Sequence, residues 1–182
     1  MALIKHKLVL DRYVGAMNYD ISTLRRILQD NKTVAIVGLS ANWYRPSYFV
    51  AKYLQRHGFR VIPVNPRYAQ DAILGEQCYA SLRDIPIPVD VVDCFRRAND
   101  ILPIIEEAIE IGAKVLWMQL GVVNEEAAET ARAAGLDVIM DRCMKIEFGR
   151  IFGGLNYMGV NTKVISAKRP FSVPHQAENG RG

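Results

Sequence analysis

Five short runs dominate this chain: TVAIVG (33–38), FRVIPVNP (59–66), VDVVDCF (89–95), AKVLWMQLG (113–121) and LDVIMD (136–141). Each is apolar almost throughout and rich in β-branched residues, and none alternates cleanly between apolar and polar positions. That pattern predicts strands buried on both faces. Between them lie segments with helical spacing. Asp20 or Ser22 is placed to cap a helix carrying Ile21, Leu24, Ile27 and Leu28, which Asn31-Lys32 ends. A second helix is expected over 47–57, with Phe49, Val50, Tyr53 and Leu54 on one face, and a third over 99–111, with Pro103 in its first turn. Asn124 is expected to cap EEAAETARAAG, which stops at Gly135, and RCMKIEFGR (142–150) reads as a last helix. Residues 68–88 read as irregular. Strands alternating with helices predict an α/β fold whose parallel sheet is covered on both faces.

Composition narrows the function classes. The formal net charge of +4 is modest and scattered, which suits a phosphorylated small molecule better than nucleic acid. No apolar run approaches the roughly 20 residues of a membrane span, and charged residues Lys5, Lys7, Asp11 and Arg12 interrupt the N-terminus. Three well-separated cysteines, Cys78, Cys94 and Cys143, suit reduced thiols. A cytoplasmic protein is expected. Residues 19–150 are expected to form the domain, with extensions over 1–18 and 151–182 and a frayed tail.

In an open parallel sheet the ligand crevice lies beyond the carboxyl ends of the strands, where the strand order reverses. Five segments are expected to meet there: Gly38 to Ser47, Asn65 to Tyr68, Phe95 to Asn99, Gln119 to Val122, and Asp141 to Cys143. In GLSANWYRPS, Gly38 allows the turn and Ser40 offers a hydroxyl. The helix start at Pro46-Ser47 presents free N–H groups, and Arg45 adds a cation, which together make a site for phosphate oxygens. A purely structural turn with a solvent-facing arginine accounts for the same residues. This loop is not G-x-G-x-x-G, because Ser40 and Trp43 replace the second and third glycines. After the second strand stand Asn65, Pro66 and Arg67 where NAD binding calls for an acidic residue. Arg67 instead suits an extra ribose phosphate, as in NADP or the 3′-phosphate of coenzyme A. Arg96 and Arg97 are either phosphate ligands or a surface pair bound to Asp93 or Asp100. Gln119 and Gly121 are candidates for ligand contact, and Trp117 belongs to the core.

Catalytic machinery is not evident. His6, His57 and His175 are the three histidines, and none is placed with a nucleophile and an acid. No Cys/His cluster has zinc spacing. Glu106-Glu107 and Glu125-Glu126 read as solvated helix faces. Asp141-Arg142-Cys143 offers either a thiol activated at a helix N-terminus or a buried, inert cysteine.

The stretches VAIVGLSANWYRPSYFVAKYLQRHGFRVIPVNP, ILGEQCYASLRDIP, VDVVDCFRR and VLWMQLGVVNEEAAETARAAGLDVIMDRCMKIE closely resemble the small prokaryotic coenzyme A-binding proteins. These are similar to the coenzyme A-binding domain of the succinyl-CoA synthetase α-subunit standing alone. The resemblance covers roughly residues 20 to 150. It implies a Rossmann-like three-layer sandwich with a five-stranded or slightly larger, mostly parallel sheet. It also implies coenzyme A across the strand ends. The diphosphate would lie on Gly38, Leu39, Ser40 and the residues up to Arg45 and Ser47, and the phosphorylated adenosine near Asn65, Pro66 and Arg67. The pantetheine would pass Phe95, Arg96, Gln119, Gly121 and Val122. The synthetase's phosphorylated histidine belongs to a domain absent here, so a non-catalytic carrier, sensor or regulatory module is expected, with coenzyme A or an acyl-CoA as ligand and a protein partner left open. The alternatives are an NADP-dependent oxidoreductase or other nucleotide-binding enzyme, with Arg67 on the 2′-phosphate, and a thiol function in which Cys143 forms a mixed disulfide with coenzyme A.

Overall fold

The computed structural model describes residues 19–153. The expected extension over 1–18, and that over 151–182 beyond Gly153, lie outside the described residues, as do His6 and His175. Within them the chain runs α1 (Ile21–Asp30), β1 (Thr33–Val37), α2 (Pro46–Arg56), β2 (Arg60–Val64), β3 (Ala72–Ile73), β4 (Glu76–Gln77), β5 (Val91–Cys94), α3 (Leu102–Glu110), β6 (Val115–Met118), α4 (Glu125–Ala133), β7 (Asp137–Ile139) and α5 (Met144–Phe152). The five long-range strands form one parallel sheet in the order β2-β1-β5-β6-β7. Among the described residues no helix is long and apolar enough to cross a membrane.

Two cores explain why the strands lack alternation. On one face Ile36, Val91 and Trp117 meet Leu24, Leu28, Val50, Leu54 and Phe148 from α1, α2 and α5. On the other, Ala35, Val92, Cys94 and Leu116 meet Ile105, Ala108, Ala127 and Ala131 from α3 and α4. Successive strand residues point to opposite faces, and here both faces are apolar. The result is the expected Rossmann-like three-layer sandwich. Pro63 fits because β2 is the edge strand of the sheet, and the one parallel bridge on its outer edge, Val64 with Tyr79, uses the Pro63 carbonyl and the Asn65 N–H, so the missing N–H removes no bond.

Three local expectations change. Phe49, expected on one apolar face of the second helix with Val50, Tyr53 and Leu54, is 47% exposed, and Ser47 and Ala51 are buried in its place. The segment 68–88 holds a small antiparallel hairpin, β3-β4, turned by Leu74 and Gly75, both at positive φ. That geometry is the tight hairpin turn usually marked by Asn-Gly, and Leu-Gly hides it. Glu107 is not a solvated helix face: its carboxylate accepts from the Leu82 N–H at 2.9 Å and from Arg83 at 3.0 Å, pinning the 80s segment to α3.

Candidate functional site

The strand order reverses between β1 and β5, so the switch point lies where Gly38 and Phe95 leave the sheet. Gly38 has φ +89°, and its N–H donates to the Val64 carbonyl at 2.8 Å. A Cβ there would stand 2.6 Å from the Phe95 carbonyl oxygen. No other residue fits, which places the backbones of two strand ends in direct contact.

The loop that follows is held by its own polar groups. Ser40 N–H donates to Ser47 Oγ at 3.2 Å, and Ser40 Oγ accepts from Asn42 N–H at 3.1 Å. Asn42 in turn accepts from Tyr44 and Arg45 N–H groups at 3.0 Å. Asn65 ties β2 to this loop, donating from Nδ2 to the Leu39 carbonyl at 2.9 Å while Oδ1 accepts the Arg67 N–H at 3.1 Å. Arg45 is the N-cap of α2 and Pro46 opens the helix, so the helix start faces the loop as expected.

Three adjoining cavities lie along this edge, two of them lined by Gly38. One of about 270 Å³ is lined by Gly38, Ser40, Arg45, Pro46, Ser47 and Phe95. A second, about 370 Å³, is lined by Phe95, Arg96, Arg97 and Asp100. The third, about 340 Å³, reaches from Gly38 and Arg96 to Pro66 and Ser81. Among the described residues Arg45, Arg67, Arg96 and Arg97 take part in no ion pair, and all four are exposed. Arg67 lies over its neighbour's ring, 5.8 Å from the Tyr68 centroid. The surface-pair reading of Arg96 and Arg97 therefore has no support in the contacts: Asp93 is fully buried and engaged elsewhere.

Gly38, Ser40, Arg45, Ser47, Pro66, Phe95 and Arg96, expected in one region, line two adjoining cavities. Leu39 and Val122 differ, since their side chains are buried in the two opposite cores. Ser47 is buried too, with Oγ turned to the loop. On the β6 side, Gln119 to Val122 form a turn closed by Val122 N–H on the Gln119 carbonyl at 2.9 Å. Gly121 sits at its third position with φ +80°, a site that favours glycine. Asp141 Oδ1 accepts the Gly121 N–H at 2.6 Å.

Two buried carboxylates escaped sequence reading. Asp93 in β5 is fully buried, and both its oxygens accept from Gln119 Nε2, at 2.8 and 2.9 Å. Burial pushes it up to about 7, opposed by the Gln119 hydrogen bond. The signal is an acidic residue inside VDVVDCF with core residues, Val92 and Cys94, on either side. Glu147 in α5 is fully buried between Arg142, at 3.1 Å, and Arg150. Cys143, the N-cap of α5, is buried, and burial pushes its thiol up rather than down despite the nearby backbone N–H groups. Of the two readings of Cys143, the packing favours the buried thiol over the activated one. His57 stacks on Tyr53 with centroids 4.0 Å apart, and its Nδ1 lies 2.7 Å from the Tyr53 carbonyl.

Comparison with known proteins gives one consistent result. The sequence profile of a family described as the CoA binding domain matches residues 32–149. The uncharacterized protein YneT of Bacillus subtilis is 42% identical over 123 residues, covering 68% of this chain and 90% of YneT. An ADP-forming acetate–CoA ligase of Methanocaldococcus jannaschii is 32% identical over 157 residues, covering 75% of this chain and 22% of the ligase. Among solved structures, a hypothetical protein from Pyrococcus horikoshii superposes with a TM-score of 0.71 at 40% identity, covering 75% of this chain and 94% of that one. A Thermus thermophilus protein does so with 0.71 at 34% identity, covering 74% and 100%. The loop, the switch point and the paired arginines all fall inside the matched span, and the chain belongs to the CoA binding domain family.

Proposed function

We propose that this protein binds coenzyme A, or an acyl form of it, across the carboxyl ends of β2, β1, β5 and β6, as a carrier, sensor or regulatory module without catalysis of its own. One observation carries the reading: three adjoining cavities, two of them lined by Gly38 and the third joined to them through Phe95 and Arg96, are rimmed by arginines that have no acidic partner among the described residues. Unpaired guanidinium groups beside a helix start suit the diphosphate. Arg67 beyond β2 suits the 3′-phosphate, and the strand ends from Phe95 and Arg96 to Gln119 and Gly121 suit the pantetheine arm. The ligase likeness extends to 22% of that enzyme, so its reaction is not carried over. Among the described residues no group of histidine, cysteine and acidic side chains suits a metal. Three free buried thiols fit a reducing compartment, which supports a cytoplasmic setting.

Calorimetric titration with coenzyme A and with NADPH tests the reading. Saturable binding of coenzyme A, lost stepwise on Arg45→Gln and Arg96→Gln, is expected. Binding of NADPH in its place, or no binding of coenzyme A at millimolar concentration, would overturn it.

A further inference from the structure

Asp93 lies one residue before the end of β5, fully buried, and no cation pairs with it among the described residues. Its ionisable neighbours are the thiols of Cys94 on its own strand and Cys143 at the start of α5, both pushed up by burial. β1 and β6 present Ile36 and Trp117 at its level. Its one hydrogen-bond partner is the Nε2 of Gln119. A carboxylate has no proton to donate, so it accepts the N–H end of an amide and turns the carbonyl end away. Gln119 Oε1 takes no hydrogen bond within the described residues. Since no side-chain nitrogen or oxygen there is buried without a partner, Oε1 must reach solvent. Gln119 is otherwise buried, at 4% exposure. One acceptor atom therefore opens at the carboxyl end of β6.

Strands lie about 4.8 Å apart, so the end of β6 stands about 10 Å from the Gly38 grip, two strands along the sheet. A ligand reaching Oε1 from that grip must be long and must offer N–H at mid-length.

We infer that Gln119 Oε1 is a dedicated acceptor for a secondary-amide N–H in the ligand's extended arm, and that Asp93 is the positioning residue that fixes its orientation. This rests on the proposed coenzyme A reading, whose pantetheine arm carries two such amides. Because Asp93 sits near neutrality, the orientation is set by pH. Once protonated, Asp93 donates to Oε1, the amide reverses, and N–H groups meet the ligand's own N–H. Arm recognition is therefore strongest above pH 7 and declines below it.

The test compares coenzyme A with the β-methyl ester of 3′-phospho-ADP, its head group without the arm and with the same diphosphate diester, by calorimetry from pH 6 to 8. The 3′-phosphate is then the one phosphate that ionises in this range, and because both ligands carry it, it cancels in the ratio of affinities. The wild-type ratio is expected to favour coenzyme A increasingly as pH rises, about fivefold across the range. Asp93→Asn removes the pH dependence and Gln119→Leu lowers coenzyme A affinity about tenfold, while both leave the head group bound as before. If Asp93→Asn does not fold, the wild-type ratio alone decides. A ratio that is flat with pH, or equal losses for both ligands in Gln119→Leu, overturns this inference and leaves coenzyme A binding standing. Failure of both ligands to bind overturns the proposed function and this inference with it.

Discussion

The two sides of the switch point handle charge in opposite ways. Beyond β1, β2 and β5, Arg45, Arg67, Arg96 and Arg97 stand in water without ion-pair partners among the described residues. Toward β6 and β7 two buried carboxylates are committed to partners: Asp93 in β5 to Gln119 at the end of β6, and Glu147 in α5 to Arg142 and Arg150. A hydrated guanidinium costs folding almost nothing and remains free for a ligand. A buried carboxylate is costly unless paired, and in return it holds a defined orientation. One side is made to attract and the other to orient. Substitutions on the two sides should therefore separate affinity from stability.

The largest effect is expected at Glu147→Gln. It strips the shared counter-charge from Arg142 and Arg150, which are themselves only 24% and 14% exposed. Urea unfolding is expected to register a loss of about 3–5 kcal/mol, and a loss below about 1 kcal/mol would break the contrast. Next comes Gly38→Ala, where positive φ and the approach of the Phe95 carbonyl act together. Here about 2–3 kcal/mol of stability should be lost, and coenzyme A affinity with it.

Asp93 sharpens the comparison through pH. Its usual carboxylate value of 3.8 is raised to about 7 by burial. Between these values the native state holds a proton that the unfolded chain has released. Stability therefore falls as pH rises through that window, by up to about 1.4 kcal/mol per pH unit, and levels off above it. Thermal unfolding of Asp93→Asn should lack this component. The smallest effect on folding is expected at Arg45→Gln and Arg96→Gln, within about 0.5 kcal/mol of wild type. Each should nevertheless weaken coenzyme A binding about fivefold, and less at high salt, where exposed charges are screened.

Sequence patterns made the sheet legible because apolar strands buried on both faces leave an unambiguous trace, and Asn124 indeed caps α4 through the Ala127 N–H at 2.9 Å. The lip was legible for the same local reasons: Gly38, Arg45 and Pro46 announce a strand-to-helix turn. Tertiary choices were not. Whether Phe49 or Ala51 faces the core depends on where α2 lies on the sheet. Asp93, inside an apolar run, gives no hint of its partner, because Gln119 lies 26 residues away, just past the end of the neighbouring strand. Cys143 was open to both readings, since a helix N-terminus and burial act on a thiol in opposite directions, and only packing reveals which prevails.

A crystal structure of the protein grown with coenzyme A tests the account most directly. Phosphates on the Gly38–Ser47 loop, with the arm crossing Phe95 and an amide nitrogen within hydrogen-bond distance of Gln119 Oε1, are expected. Cofactor bound away from the carboxyl ends of β1 and β5, or that lip left vacant at saturating ligand, would contradict it.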